Sequence, residues 1–465
     1  MESVKPVPPA VPEPANVKPK RSLHRGYPYP LRRVNRFLRV LGPGLITGAA
    51  DDDPSGIGTY SQSGAAFGPA QLWLALYLLP FTIAVQEMCG RIGLVTGKGI
   101  AGVVRQHYNR WILFGAVALL FIANTINVGA DLGAMAESVR LLLPGVPHLF
   151  YPLLFAFALG ILTLEIFVPY RHYARVLKFL TLSLLAYIIT GLIISPDWRH
   201  VLLLTIIPTI SFTPQFLTLV VAIVGTTISP YLFFWQASEE VEEATLHHRQ
   251  HKGADKERQE QALKKQVRSL RLDTSIGIAA SSITFWFIVM TAGSTLYAHS
   301  GGKGVAIESA TQAAQALVPL VRSFPHAGEL AEIIFALGIV GTGLLAVPVL
   351  AGSAAYGIAE AFGWREGLAR RFDQARGFYA VIALATLIGL ALNLIGVNPI
   401  SALVYTAVIN GLVAVPLLVL ILLVANNRAV MGKHTNGAIS NILGIIATVL
   451  MAVAAVVTIA SLFIG

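Results

Sequence analysis

The segment Gly48-Ala49-Ala50-Asp51-Asp52-Asp53-Pro54-Ser55-Gly56 places three acidic residues, a proline and a glycine inside an apolar stretch spanning roughly 40–66. Proline removes a backbone donor and clashes with the preceding turn, so a helix cannot run through this point undisturbed. Neither flank is long enough to cross a bilayer alone, since a transmembrane helix needs about 20 apolar residues. The acidic residues therefore fall at mid-membrane depth. Charge is expensive there, and it usually faces a cavity or an ion path. A matching interruption, Val224-Gly225-Thr226-Thr227-Ile228-Ser229-Pro230-Tyr231, lies within the apolar stretch 214–238.

Working outward, eleven apolar stretches are long enough to cross a membrane: about 40–66, 69–90, 112–142, 150–169, 174–195, 214–238, 274–298, 330–359, 378–396, 401–425 and 438–463. The alternating pattern of a membrane barrel is absent, so a helical bundle is expected. The breaks fall in spans 1 and 6, five spans apart, which predicts an inverted-topology 5+5 repeat with helices 1 and 6 broken. Interrupted segments at corresponding positions of two halves are the best sequence pointer to a transporter's binding site. Half-helix ends with free carbonyls, plus the charge of Asp53, favour a cation there.

Composition agrees. The 465 residues are 55% hydrophobic and 12% charged, with mean hydropathy +0.67. That excludes an ordinary soluble enzyme, whose charged fraction is nearer 25%. The net charge of +10 would suggest nucleic acid in a soluble protein. Here it has a topological explanation. With the N-terminus inside, 30 Lys and Arg fall on the inner side and only Arg140, Arg199, Lys303 and Arg322 on the outer. This bias predicts a multi-pass plasma (inner) membrane protein with a cytoplasmic N-terminus and an extracytoplasmic C-terminus. Residues 1–37, rich in proline and basic residues, read as a disordered cytoplasmic tail preceding a transporter domain over 38–465. Residues 239–273 read as a solvated cytoplasmic loop with a short helix, and it carries a histidine tract at 247–251. The single Cys89 allows no intrachain disulfide. No phosphate loop, nucleophile–base pair or metal-binding histidine motif points to an enzyme.

Three segments resemble the NRAMP family of divalent metal transporters. Gly42-Pro43-Gly44-Leu45 through Asp53-Pro54-Ser55-Gly56 resembles the family's Gly-Pro-Gly lead and Asp-Pro-Gly-Asn motif. Arg91-Ile92-Gly93-Leu94-Val95-Thr96-Gly97-Lys98-Gly99-Ile100-Ala101 is similar to its Arg-Leu-Gly-x-Val-Thr-Gly-Lys-Asp-Leu-Ala run and is the most specific match. Gly225-Thr226-Thr227-Ile228-Ser229-Pro230 is similar to its Gly-Ala-x-x-Met-Pro. The resemblance covers the whole membrane region and implies a LeuT-like fold working by alternating access.

It also implies a metal site at Asp53, Gly56, Thr226 and Ser229, with departures. Gly56 stands at the family's asparagine ligand, Thr226 at the alanine that binds through its carbonyl, and Ser229 at the methionine ligand. A thioether is soft, whereas a hydroxyl suits hard ions such as Mg²⁺. Mg²⁺ dehydrates reluctantly and keeps several waters, which suits a roomier oxygen site. The pattern resembles the NRAMP-related magnesium transporter branch and implies Mg²⁺ as transported substrate, with Mn²⁺ tolerated and no cofactor. The family's histidine after the helix 6 proline is Tyr231 here, and its helix 3 Asp-Leu-Ala-Glu reads Asp131-Leu132-Gly133-Ala134. Losing the histidine and the glutamate predicts transport without obligatory proton coupling, which Asp131 keeps open.

Asp51, Asp52 and Asn410 are further pathway candidates, and Glu87 is expected to pair with Arg91. Glu165 is expected to pair near Arg171. Asn124, Thr125 and Asn127 are expected to bond across helices. The alternatives are a proton-coupled Mn²⁺ or Fe²⁺ importer and a sodium-coupled organic-solute symporter of the same fold. The bilayer and a divalent metal ion are the expected partners, with no nucleic acid.

Overall fold

The computed structural model describes residues 48, 50–168, 180–194, 196–248 and 256–464. The N-terminal tail, Gly42-Pro43-Gly44-Leu45, Arg171, Arg175, Lys178, His251 and the side chains of His247 and His248 lie outside the described residues. Among those residues the regular structure is helical. The principal helices are α1 (Pro54–Phe67), α2 (Trp73–Thr96), α3 (Arg110–Leu141), α4 (Phe150–Phe167), α5 (Leu185–Ile194) and α6 (Pro214–Thr227). They continue with α7 (Pro230–His248), α8 (Lys256–Ala292), α9 (Ala327–Phe362), α10 (Arg376–Leu392), α11 (Pro399–Asn426) and α12 (Ala438–Ile464).

Nine helical segments among the described residues are long and apolar enough to cross a membrane, taking α6 and α7 together as span 6. They correspond to spans 2–4 and 6–11. Spans 1 and 5 lie partly outside the described residues. Both breaks are present. Ala50 and Asp51 are helical, the helix stops at Asp52-Asp53, and α1 starts at Pro54. Span 6 stops at Thr227 and resumes at Pro230. Proline at the first position of α1, α6, α7 and α11 costs no hydrogen bond, because the first-turn N–H groups lack intrahelical partners anyway.

The connector expected over 239–273 is largely helical instead. α7 continues to His248 and α8 begins at Lys256, so both helices project past the apolar spans. Charged residues there are good helix formers, and polarity alone marks where the bilayer ends, not where the helix does.

Packing gathers most helices into two groups, which meet at α11 and where α7 lies on α9. α2 lies chiefly on α7 and α8, and α1 on α8 and α11; α3 lies on α9, α10 and α11. Lipid tails are as apolar as leucine, so close backbone approach carries much of the helix association. Glycines provide it. A Cβ on Gly389 of α10 would meet Gly129 N of α3 at 2.9 Å and Thr125 O at 3.0 Å. A Cβ on Gly225 of α6 would fall on the Ala407 carbonyl and lie 2.7 Å from Gly411 Cα of α11. The outward face of α12 exposes Ile439, Ile442, Val449, Val453 and Val456, as a lipid-facing helix requires.

Gly389→Leu is expected to push α10 off α3 and destabilise the purified protein by about 1–3 kcal/mol, as overpacking does. Thermal unfolding in detergent checks this, with Gly389→Ala giving a smaller drop. An unchanged midpoint for the leucine variant contradicts the close-packed crossing.

Candidate metal site at the two helix breaks

Asp53 is the N-cap of α1. Its backbone is extended, and its Oδ1 accepts from Gly56 N at 2.7 Å and from Ser55 Oγ at 2.8 Å. A capping carboxylate satisfies orphan donors and complements the positive end of the helix dipole. Its other oxygen, Oδ2, accepts from Asn127 Nδ2 of α3 at 3.2 Å. Asp53 is 1% exposed. One oxygen is thus fixed by the cap, and the other has only one neutral amide and lone pairs to spare.

The opposite wall is the C-terminal end of α6, where the last carbonyls lack helical partners and carry partial negative charge. Ser229 Oγ lies 2.8 Å from Gly225 O and 2.7 Å from Thr226 O, donating its single proton between them. The two walls meet where Ser55 Oγ and Thr226 Oγ1 lie 3.4 Å apart, and where Tyr60 Oη and Thr227 Oγ1 lie 3.2 Å apart. Tyr231 Oη donates to Ala50 O at 2.8 Å, so the start of α7 satisfies a carbonyl of the first half of span 1.

Gly56 faces the same space. A Cβ there would sit 3.4 Å from both Asp53 Oδ1 and Asp51 O, and 3.3 Å from the Tyr60 ring. A side chain at position 56 would therefore crowd Asp53, the Asp51 carbonyl and the Tyr60 ring, which the glycine avoids.

The remaining sequence candidates are distributed differently. Asp51 and Asp52 turn to α8, where Ser281 Oγ lies 2.8 Å from Asp51 Oδ2 and 2.9 Å from Asp52 Oδ1. They do not share Asp53's partners. Asp131 is fully buried one helical turn beyond Asn127 on α3, within electrostatic reach of Asp53 and facing the Ser55 backbone N–H. Asn410 is likewise buried with both amide atoms unpartnered, next to Gly411 at the α6–α11 crossing.

Asn124 makes the expected interhelical bond, to Leu350 O at 2.9 Å. The bond expected of Asn127 is made to Asp53 itself. Glu87 pairs with Arg91 at 3.2 Å and also with Arg271 at 2.9 Å. Glu165 is buried with neither carboxylate oxygen bonded among the described residues, and its expected partner region lies outside them. Ser55, Tyr60 and Ser281 went unnoticed in the sequence. The spacing of Asn124, Asn127 and Asp131, three then four residues, marked one polar face of α3.

No group of three or more His, Cys, Asp or Glu side chains that could hold a metal occurs among the described residues. A cation at the breaks would meet one carboxylate, backbone carbonyls, hydroxyls and water. That donor set suits hard oxygen-seeking ions.

The chain is 23% identical to the divalent metal cation transporter MntH of Caldanaerobacter subterraneus subsp. tengcongensis, covering 89% of this chain and 90% of the relative. It is 27% identical to MntH of Acidiphilium cryptum, covering 85% and 84%. Its fold matches the Eremococcus coleocola manganese transporter with TM-score 0.71 at 16% identity, over 94% of this chain and 88% of the other. MhsT, solved with L-phenylalanine, matches with TM-score 0.56 at 13% identity, over 89% and 98%. The fold is therefore the LeuT-like helical bundle of membrane transporters. A sequence model described as natural resistance-associated macrophage protein-like matches residues 44–461, and the chain belongs to this Nramp family.

Proposed function

We propose that this protein moves Mg²⁺ across the plasma (inner) membrane by alternating access, with Mn²⁺ tolerated, and that its N-terminus is cytoplasmic and its C-terminus extracytoplasmic. The observation that carries the ion assignment is the oxygen-only lining at the breaks, with Ser229 and Gly56 beside Asp53. Asp53 supplies the charge through Oδ2, while its Oδ1 is held by the α1 cap. The Gly225 and Thr226 carbonyls face the ion or its waters. Ser229 shares its proton with those carbonyls and keeps its lone pairs for a metal-bound water. Asn127 orients the Asp53 carboxylate.

Transport proceeds without obligatory proton uptake in this reading, because Tyr231 uses its hydroxyl on the Ala50 carbonyl and Ala134 carries no acid. A proton-coupled Mn²⁺ importer is the second reading. The names of the relatives favour it, as does Asp131, buried beside Asp53.

Asp53→Ala is expected to abolish Mg²⁺ uptake into proteoliposomes carrying a Mg²⁺-sensitive dye, and normal flux would falsify the assignment. Asn127→Ala is expected to weaken apparent affinity about 10–100-fold, as loss of an outer-sphere partner does. An affinity equal to the parent's removes Asn127 from the site. Ser229→Met combined with Gly56→Asn is expected to move preference toward Mn²⁺, read from competition curves. An unchanged ion ranking places selectivity elsewhere. An internal pH reporter separates the two readings: Mg²⁺ entry without acidification supports the first, and Mn²⁺ entry with acidification and no Mg²⁺ signal supports the second.

A further inference from the structure

Away from the breaks, two carboxylates at the far ends of α7 and α9 reach in opposite directions. Glu360 of α9 is 6% exposed. It accepts from Gly102 N at 2.8 Å through Oε2 and from Ser238 Oγ of α7 at 2.9 Å through Oε1. Gly102 lies in the first turn of the short helix Ile100–His107, which directly follows the Val95-Thr96-Gly97-Lys98 run. Glu242 of α7 reaches the other way. It accepts from Tyr356 Oη of α9 at 2.5 Å, from Leu368 N at 2.8 Å and from Ala369 N at 3.3 Å.

Each carboxylate is seated against a glycine. A Cβ on Gly99 would fall on Glu360 Oε1, and a Cβ on Gly367 would lie 2.6 Å from Glu242 Oε1. Gly367 also has φ +123, which disfavours any side chain. Gly99, in the Arg91–Ala101 run, thus has a use that the metal site does not supply.

The location matters. α7 packs with α2 and also directly on α9, whereas α9 packs chiefly with α3 and with α10. The two carboxylates therefore bridge the two groups of helices. Glu366, in the turn after α9, lies near both. Burial, then the charges of Glu360 and Glu242, push its carboxyl up to about 9, with Arg370 opposing.

We propose that Glu242 and Glu360 form a reciprocal clasp that holds the inner face closed and opens once in each transport cycle. Alternating access needs one set of helices to move against the other, and this clasp joins them where the proposed topology places the cytoplasm. Hydrogen bonds to a carboxylate are among the stronger ones, and together they bias a two-state equilibrium by about tenfold or more. The inference rests on the alternating-access reading. It is tested without ion flux, so either can fail alone.

The test is a pulsed electron–electron distance measurement on the full chain in nanodiscs. Spin labels at Thr245→Cys on α7 and Arg376→Cys on α10, in a Cys89→Ser background, report the gap between the groups. Both labelled positions are exposed. Glu360→Gln keeps the shape but turns one acceptor into an NH₂ facing a donor, and it is expected to raise the longer-distance population about tenfold. Gly99→Ala and Gly367→Ala leave every charge in place and unseat one carboxylate each, so they are expected to shift the distribution in the same direction. Ser238→Ala, which removes one leg, gives a smaller shift. Distributions in the glycine variants that superimpose on the parent's overturn the clasp, whether or not Glu360→Gln folds.

Discussion

An interrupted backbone in hydrocarbon must find partners for the groups that the interruption frees, because no water is there to take them. The rest of this structure depends on how that demand is met at two places. At the first, Asp53 caps α1, and the Ala50 carbonyl is taken by Tyr231 from the other break. At the second, Ser229 turns back on the carbonyls of Gly225 and Thr226. The second break thus helps to satisfy the first. The same lone pairs and dipoles that make the breaks costly make them attractive to a cation.

That economy explains the chemistry of the lining. A hydroxyl at Ser229 performs a structural task, terminating α6, that a thioether cannot, since sulfur has no proton to donate. One residue thus both terminates α6 and adds a hydroxyl to the lining of the break. Gly225 has a similar double use. It lets α6 and α11 touch backbone to backbone, and its carbonyl stands at the site. Across from it, Asn127 of α3 holds Oδ2 of the Asp53 carboxylate.

The separation of the three consecutive aspartates follows from geometry. Successive residues on irregular backbone cannot converge on one point. Asp53, the last of them, turns to α3 through Asn127, whereas Asp51 and Asp52 turn to α8 through Ser281. Proximity in the chain said only that negative charge gathers here. Which neighbour each side chain meets is a property of helices more than 70 positions away.

Much was legible in one dimension because hydrocarbon imposes local rules. Apolar length gave the spans, and Pro54 and Pro230 gave the breaks. The bias of Lys and Arg gave an expected orientation, and the Arg91–Ala101 run pointed to the family that the whole-chain match bears out. Helix ends beyond the bilayer were misjudged over 239–273, because there the hydropathy signal stops while helix propensity continues. The sequence by itself determined where the backbone is interrupted and that charge lies at the interruption, since both follow from residue type within a few positions. Only the tertiary structure decided that Asn127 turns toward Asp53, that Ser281 collects Asp51 and Asp52, and that Glu242 and Glu360 exchange partners across two groups of helices. Those pairings join residues from 74 to 230 positions apart, and no local periodicity records which helix faces will meet.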